Sequence, residues 1–211
     1  MAKSPFCNPT AQEIEKACNF DSLLNFATSR FTLNKDEEYK IIFDAFGKCL
    51  NTLSRSTSTS SVQNLYMTGF TSKAGDNTCP NKVNTSCNQA LSEDRAVVSL
   101  QKLIERLNSD SLPLASKVTV TMDTSNLVDP PYVGFRNTSS KEHGLVDAYN
   151  RYKNRDANKT YGSGDTDVRI FAKGCGPEGA ISGDNPDDRV IYFTTENKAC
   201  NRTEYKALIN N

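Results

Sequence analysis

The chain has 211 residues, of which 36% are hydrophobic and 24% are charged, a composition typical of one globular domain with long additional segments. Its 25 basic and 25 acidic side chains cancel, so the basic excess of a nucleic-acid-binding protein is missing. No run of about 18 apolar residues predicts a transmembrane helix, and residues 1–9 as they stand do not have the apolar segment of a signal peptide.

Two helices are predicted at the start of the chain. The first, over residues 10–30, begins at Thr10, and Glu13 follows at the spacing of a capping box. The second, over residues 34–53, carries apolar residues at helical spacing on one face. These apolar residues are Ile41, Ile42, Ala45, Phe46, Cys49 and Leu50. The pattern indicates a helix that packs one side against a core.

A strand, a helix and a second strand are predicted next. The strand over residues 62–71 follows a turn rich in Ser and Thr. The helix over residues 91–107 repeats apolar residues on one face, and Ser92 is its predicted N-cap. Residues 117–122 alternate β-branched and polar side chains, which predicts the second strand.

The C-terminal half has weaker patterns. Residues 123–167 are irregular, with a helix predicted near residues 146–153. Two further strands are predicted over residues 168–173 and 190–195. Helices and strands in this order predict a two-layer α/β or α+β sandwich.

The cysteines bear on the compartment. There are seven, and no two have CxxC spacing, so a zinc site is not expected. An odd number scattered through polar sequence favours an oxidising compartment with some disulfides, and the alternative is seven reduced, buried thiols. Cys79 and Cys87 are the best candidate pair, because the residues between them form loops and a bridge would close a short loop.

Residues for catalysis are sparse. The only histidine, His143, lies in a polar loop, and its neighbours form no known motif. No P-loop, HExxH or dinucleotide-binding sequence occurs. Asp187 and Asp188 lie in a predicted turn, where we expect both to be solvated. The sequence therefore predicts a non-catalytic protein with no cofactor and no metal.

Two segments carry a family likeness. Residues 66–75 read YMTGFTSKAG, and residues 88–96 read NQALSEDRA. They resemble the OmpA-like C-terminal domain, in which a strand ends in Gly-aromatic/His-Thr-Asp and a helix opens with Asn-x-x-Leu-Ser-x-x-Arg-Ala. Residues 185–191, NPDDRVI, are similar to the family's approach to its last strand. The resemblance spans residues 31–197 and is strongest over residues 62–107.

This resemblance implies an α+β sandwich of the βαβαβ type, with a mixed sheet and helices on one face. Residues 1–30 are then an N-terminal helical extension, residues 31–197 the OmpA-like domain, and residues 198–211 a C-terminal tail. The domain carries insertions at residues 76–87 and about 109–184, and segments of such length are usually functional or disordered. Either of the two C-terminal strands can correspond to the last strand of the family.

The resemblance also implies a binding site for peptidoglycan. In the family, a diaminopimelate residue of the stem peptide is held between an Asp and an Arg. A guanidinium can bind the ligand carboxylate with two hydrogen bonds, a carboxylate can bind its ammonium, and a helix N-terminus adds free N–H groups. Arg95 matches the family Arg. The other matching positions are Thr71, Ser72, Asn88, Leu91 and Arg189.

Ser72 departs from the family pattern, because it stands where the family has its Asp and brings no charge. Asp76 and Asp94 are alternative sources of a carboxylate, although Asp94 adjoins Arg95 on the helix and is expected to face elsewhere. Arg95 also has a structural interpretation, as a surface residue or as a clamp on a loop carbonyl. For Arg189 the structural interpretation is the favoured one.

Two functions follow from the resemblance. The first is a non-catalytic module that binds peptidoglycan and anchors an envelope complex. The alternative is an OmpA-like structural subunit of an outer-membrane or secretion assembly that has lost wall binding. Both predict the periplasm of a Gram-negative bacterium, association with the outer membrane, and peptidoglycan or other envelope and secretion-complex proteins as partners.

Overall fold

A six-stranded mixed sheet and four α-helices form the part of the chain that the computed structural model describes. The described residues are 8–22, 36–56, 62–73, 87–109, 117–127, 159–180 and 185–210. The predicted α+β class is confirmed. No helix in these ranges has the length and apolar character needed to cross a membrane.

The elements have the following bounds. The helices are α1 (Ala11–Cys18), α2 (Asp36–Leu53), α3 (Cys87–Ser109) and α4 (Arg202–Ile209), with a short 3-10 helix at Pro186–Asp188. The strands are β1 (Phe20–Ser22), β2 (Gln63–Gly69), β3 (Val118–Asp123), β4 (Lys159–Gly162), β5 (Thr166–Gly174) and β6 (Ile191–Thr194).

The sheet has the order β1-β6-β2-β5-β3-β4. β5 lies in the middle and pairs in parallel with both β2 and β3, whereas the other three pairings are antiparallel. The two C-terminal strands predicted from the sequence therefore have different places, because β5 is central and β6 lies on the other side of β2.

The main core lies between one face of the sheet and helices α2 and α3. The inward-facing residues alternate along the strands, for example Leu65 and Met67 on β2 and Val168 and Ile170 on β5. Each such side chain contributes about 1.5–3 kcal/mol when it is fully buried. Phe46 of α2 belongs to the same core, as its apolar spacing predicted.

The N-terminal segment joins this core through a short helix. Thr10 and Glu13 form the predicted capping box, with Thr10 N–H donating to Glu13 Oε2 at 2.7 Å and Glu13 N–H to Thr10 Oγ1 at 3.2 Å. The prediction that this helix continues to residue 30 was wrong, because the chain turns at Asn19 into β1. Phe20 of β1 stacks on Phe193 of β6 with ring centroids 4.8 Å apart, and this contact packs β1 against the neighbouring strand.

The C-terminal helix packs against the opposite face of the sheet. Thr68 and Tyr192 pair across β2 and β6, and they face away from the core because side chains alternate along a strand. Tyr205 of α4 stacks on Tyr192 at 5.2 Å, and its hydroxyl lies 3.2 Å from Thr68 Oγ1. The predicted placement of helices on one face therefore holds for α2 and α3 but not for α4, which lies in the segment predicted to be a tail.

Two disulfides confirm that cysteines of this chain pair. Cys18 of α1 bonds Cys49 of α2, and Cys175 after β5 bonds Cys200 before α4. The predicted Cys79–Cys87 bridge, the helix near residues 146–153 and the insertion at residues 76–87 lie wholly or partly outside the described residues.

Candidate functional site

The residues that carry the family likeness meet where β2 ends. Phe70 donates its backbone N–H to the Val190 carbonyl at 2.8 Å, and Thr71 donates to the Gly176 carbonyl at 2.9 Å. The end of β2 is therefore held between the segment after β5 and the segment before β6. Residues 66–73 and 185–191, far apart in sequence, are neighbours here.

Helix α3 approaches this strand end very closely. A Cβ added at Gly69 would lie 2.1 Å from the Ser92 carbonyl oxygen, and one at Gly174 would lie 2.4 Å from Ser92 Oγ. Gly69, which precedes the aromatic residue in the motif, is thus required because the backbones of β2 and α3 are in contact at this position. No larger residue fits there without moving the helix.

Ser92 does not cap α3, because the helix begins at Cys87 rather than near residue 91. Its hydroxyl instead donates to the Gln89 carbonyl at 2.6 Å and accepts the N–H of Gly176 at 2.8 Å. The predicted cap was wrong, and the reason is that this hydroxyl connects the helix to the turn after β5. Gln89 adds a second link, since its Nε2 donates to the Gly174 carbonyl at 2.7 Å.

Arg95 lies two helical turns into α3 and is only 1% exposed. Its Nη1 donates to the Phe70 carbonyl at 3.2 Å. This is the loop-carbonyl contact that the structural interpretation of Arg95 predicts. A solvated surface position for this side chain is ruled out by its burial.

The other predicted site residues are also buried, each at most 7% exposed. They are Thr71, Ser72, Asn88, Leu91 and Arg189. Asn88, Leu91 and Arg95 recur at spacings of three and four residues, so they share one side of α3. Arg189 immediately precedes the residue that bonds Phe70. The structure thus brings the two arginines next to the end of β2, and all six residues are buried.

Two important residues were missed or misjudged. Asp188, expected to be solvated, is 3% exposed and pairs with Arg202 at 3.1 Å, whereas Asp187 is exposed as predicted. Arg202 also donates from Nη2 to the Thr71 carbonyl at 2.6 Å. It lies at the start of α4 in the segment predicted to be a tail, and no local pattern connects it to a residue 131 positions away.

Burial sets the protonation of the groups next to the site. It raises the pKa of Tyr192 to about 12, and the nearby Asp21 carboxylate adds to the rise. Burial also raises the pKa of Tyr205. Both phenols are therefore neutral at physiological pH and act as hydrogen-bonding and packing groups.

Within the described ranges, no three His, Cys, Asp or Glu side chains come together as ligands for a metal ion. Comparison of the chain with protein-family models, curated proteins and solved structures found no match. The likeness to the OmpA-like family therefore rests on the motif residues quoted above.

Proposed function

We propose that this chain is a non-catalytic structural module of a Gram-negative cell envelope, a subunit of a multi-protein outer-membrane or secretion assembly that has lost wall binding. The single observation that carries the proposal is the buried contact between Arg95 and the Phe70 carbonyl. The envelope assignment comes from the motif likeness, and the two disulfides agree with an oxidising compartment.

In this proposal, the Arg95 side chain binds a backbone carbonyl of the protein itself and not a ligand. A ligand carboxylate needs parallel N–H groups of a guanidinium that it can reach. Here one terminal nitrogen already donates to Phe70, and only 1% of the residue is exposed. Because Arg95 is almost fully buried, binding a wall peptide at this position would require an opening of the site.

Ser72 supports the same conclusion. It is buried at the end of β2 and has no charge to offer a ligand ammonium. Removing one partner of a desolvated charge pair costs about 2–5 kcal/mol, which is roughly 30-fold to several-thousand-fold in affinity. A site of this composition retains at best a weak form of the family interaction.

Peptidoglycan binding is the second candidate function. It is favoured by the shared helix side of Asn88, Leu91 and Arg95 and by the contact of Arg95 with the strand that ends at Thr71–Ser72. These are the residues that the family likeness assigns to the wall peptide. In this alternative the site opens when the peptide arrives.

Sedimentation with purified peptidoglycan sacculi separates the two functions. We expect the wild type to stay in the supernatant. The Ser72→Asp variant should gain binding if the other site residues lie where the family likeness assigns them. Pelleting of the wild type that Arg95→Ala abolishes would instead establish the anchor function. Arg169→Ala is the matched control, since this arginine lies on β5 with its side chain 48% exposed. Release of soluble wall fragments in proportion to added protein would contradict the non-catalytic assignment.

A further inference from the structure

The side chain of Arg202 occupies a position built from parts of three segments. Nε donates to the Glu178 carbonyl at 2.7 Å, Nη2 to the Thr71 carbonyl at 2.6 Å, and Nη1 to Asp188 Oδ1 at 3.1 Å. The guanidinium carbon lies 4.7 Å from the centroid of the Phe70 ring. All three nitrogens and one face of the guanidinium are thus engaged.

This arrangement selects for a guanidinium. Its planar group offers donors in several fixed directions and stacks on an aromatic face, whereas a lysine ammonium is a compact point charge. Arg202 is 6% exposed, and the Asp188 side chain 4%, so the pair is shielded from water. Burial lowers the pKa of Arg202 and the Asp188 carboxylate opposes that shift, but an arginine stays protonated in proteins.

Helix α4, which carries Arg202, has only eight residues. A helix of this length is marginal without outside support. Besides Arg202, the support of α4 includes Tyr205, which packs on Phe70 and Tyr192, the contact of Ile209 with the same cluster, and the Cys175–Cys200 disulfide. That disulfide lies two residues before Arg202 and joins the start of α4 to the end of β5.

We propose that Thr71, Glu178, Asp188 and Phe70 form a guanidinium-binding niche, and that α4 is a latch held there by the Cys175–Cys200 disulfide. When a dithiol reduces this disulfide, two electrons and two protons convert Cys175 and Cys200 to thiols and the dithiol becomes a disulfide. The niche then opens to an arginine side chain of another polypeptide, for which the Asp188 carboxylate supplies the complementary charge. This inference holds for either function proposed above.

Chemical rescue tests the niche. In Arg202→Ala, N-acetylarginine amide should raise the thermal unfolding midpoint in a saturable way, and N-acetyllysine amide should have a clearly smaller effect. The wild type and the Arg202→Ala, Asp188→Asn double variant should not respond to either compound. Equal responses in all three proteins, or no response in Arg202→Ala, would overturn the niche.

Hydrogen exchange tests the latch in a protein that keeps Arg202. A Cys175→Ser, Cys200→Ser variant should exchange the α4 amides faster by on the order of 100-fold, because a closed loop of 25 residues is opened. Adding N-acetylarginine amide should accelerate that exchange further by competing for the niche. The matched control, Cys18→Ser, Cys49→Ser, opens the other disulfide and should leave α4 exchange unchanged. Unchanged exchange without Cys175–Cys200, or no effect of the arginine compound on it, would overturn the latch.

Discussion

The two disulfide-linked regions of this protein are stabilised by different means. Around Cys18–Cys49, helices α1 and α2 pack through apolar side chains, with Phe46 meeting Phe193 edge to face at 5.5 Å. Around Cys175–Cys200, a small cluster of aromatic side chains is combined with hydrogen bonds to carbonyls and a buried ion pair. One disulfide thus lies in an apolar core, and the other lies beside a mixed aromatic and polar cluster.

The two regions should differ in which substitutions they tolerate. Apolar packing tolerates replacement by residues of similar size, because the burial energy depends mainly on area and volume. Replacement of a buried charged residue is not tolerated in this way. Each donor or acceptor that loses its partner then stays buried without a hydrogen bond and carries its full desolvation cost. We therefore expect substitutions in the C-terminal region to destabilise the protein more than substitutions in the apolar region.

The largest effect is expected for Arg202→Met, which keeps much of the side-chain volume but removes the guanidinium from Asp188 and Thr71. The free energy of unfolding should fall by about 3–5 kcal/mol, because a buried ion pair is broken. Urea unfolding measures this directly. Phe46→Leu, which exchanges one apolar side chain for a somewhat smaller one in the apolar region, should cost less, about 1–2 kcal/mol. Equal losses in the two variants would show that the C-terminal region is no more sensitive to substitution than the apolar one.

Gly69→Ala should cost about 1–3 kcal/mol or more, because its Cβ would lie 2.1 Å from the Ser92 carbonyl oxygen and must push α3 away from β2. Gly47→Ala, inside α2, should instead stabilise the protein by up to about 1 kcal/mol through helix propensity. Thermal or urea unfolding of both variants provides the test. A neutral Gly69→Ala would mean that the strand and helix are not in close contact.

Stability should depend on alkaline pH through the C-terminal region. Burial raises the pKa of Tyr192 to about 12 from 10.0, so the unfolded chain releases this proton first. The free energy of unfolding should therefore fall by about 2 kcal/mol as the pH rises from about 10 to about 12. In urea unfolding across this pH range, the free energy of unfolding should fall less steeply with pH for the Tyr192→Phe variant than for the wild type. Part of the slope should remain, because the pKa of Tyr205 is also raised.

Thr10→Ala should have the smallest effect, about 1 kcal/mol, because it removes one half of an exposed capping box. Circular dichroism with urea unfolding would detect the loss. The change lies in the apolar region, where the disulfide to α2 still holds α1 in place. A loss as large as that of Arg202→Met would contradict the view that α1 depends mainly on its disulfide and its apolar contacts.

The same contrast explains what could be predicted from the sequence. The extents of α2 and most of α3, the strand before Thr71 and the capping box follow from local spacing, and the structure contains them. Cys49 lies on the apolar face predicted for α2, which indicates a buried position, whereas its partner Cys18 becomes known only from the structure. β1 and β4 are only three and four residues long, and so short a strand has almost no periodicity of its own.

Only those residues of the candidate site that belong to the family motif could be predicted from the sequence. The likeness located Arg95, and its side chain does contact the Phe70 carbonyl at the end of β2. Arg202 and Asp188 have no local pattern, because their partners are distant in sequence and the pairing exists only in the folded chain. The sequence predicts Asp188 to be a solvated turn residue, because a carboxylate in a turn is usually exposed.

We infer that Arg95 stabilises the free protein through the Phe70 carbonyl, and the unfolding free energy of the Arg95→Met variant measures this contribution. We predict a loss of about 2–4 kcal/mol in urea unfolding, because a buried carbonyl loses a charged hydrogen-bond donor. A change within about 0.5 kcal/mol would contradict the account, because surface positions away from such contacts show changes of that size. Arg95 would then be available for a ligand, as the peptidoglycan-binding alternative requires.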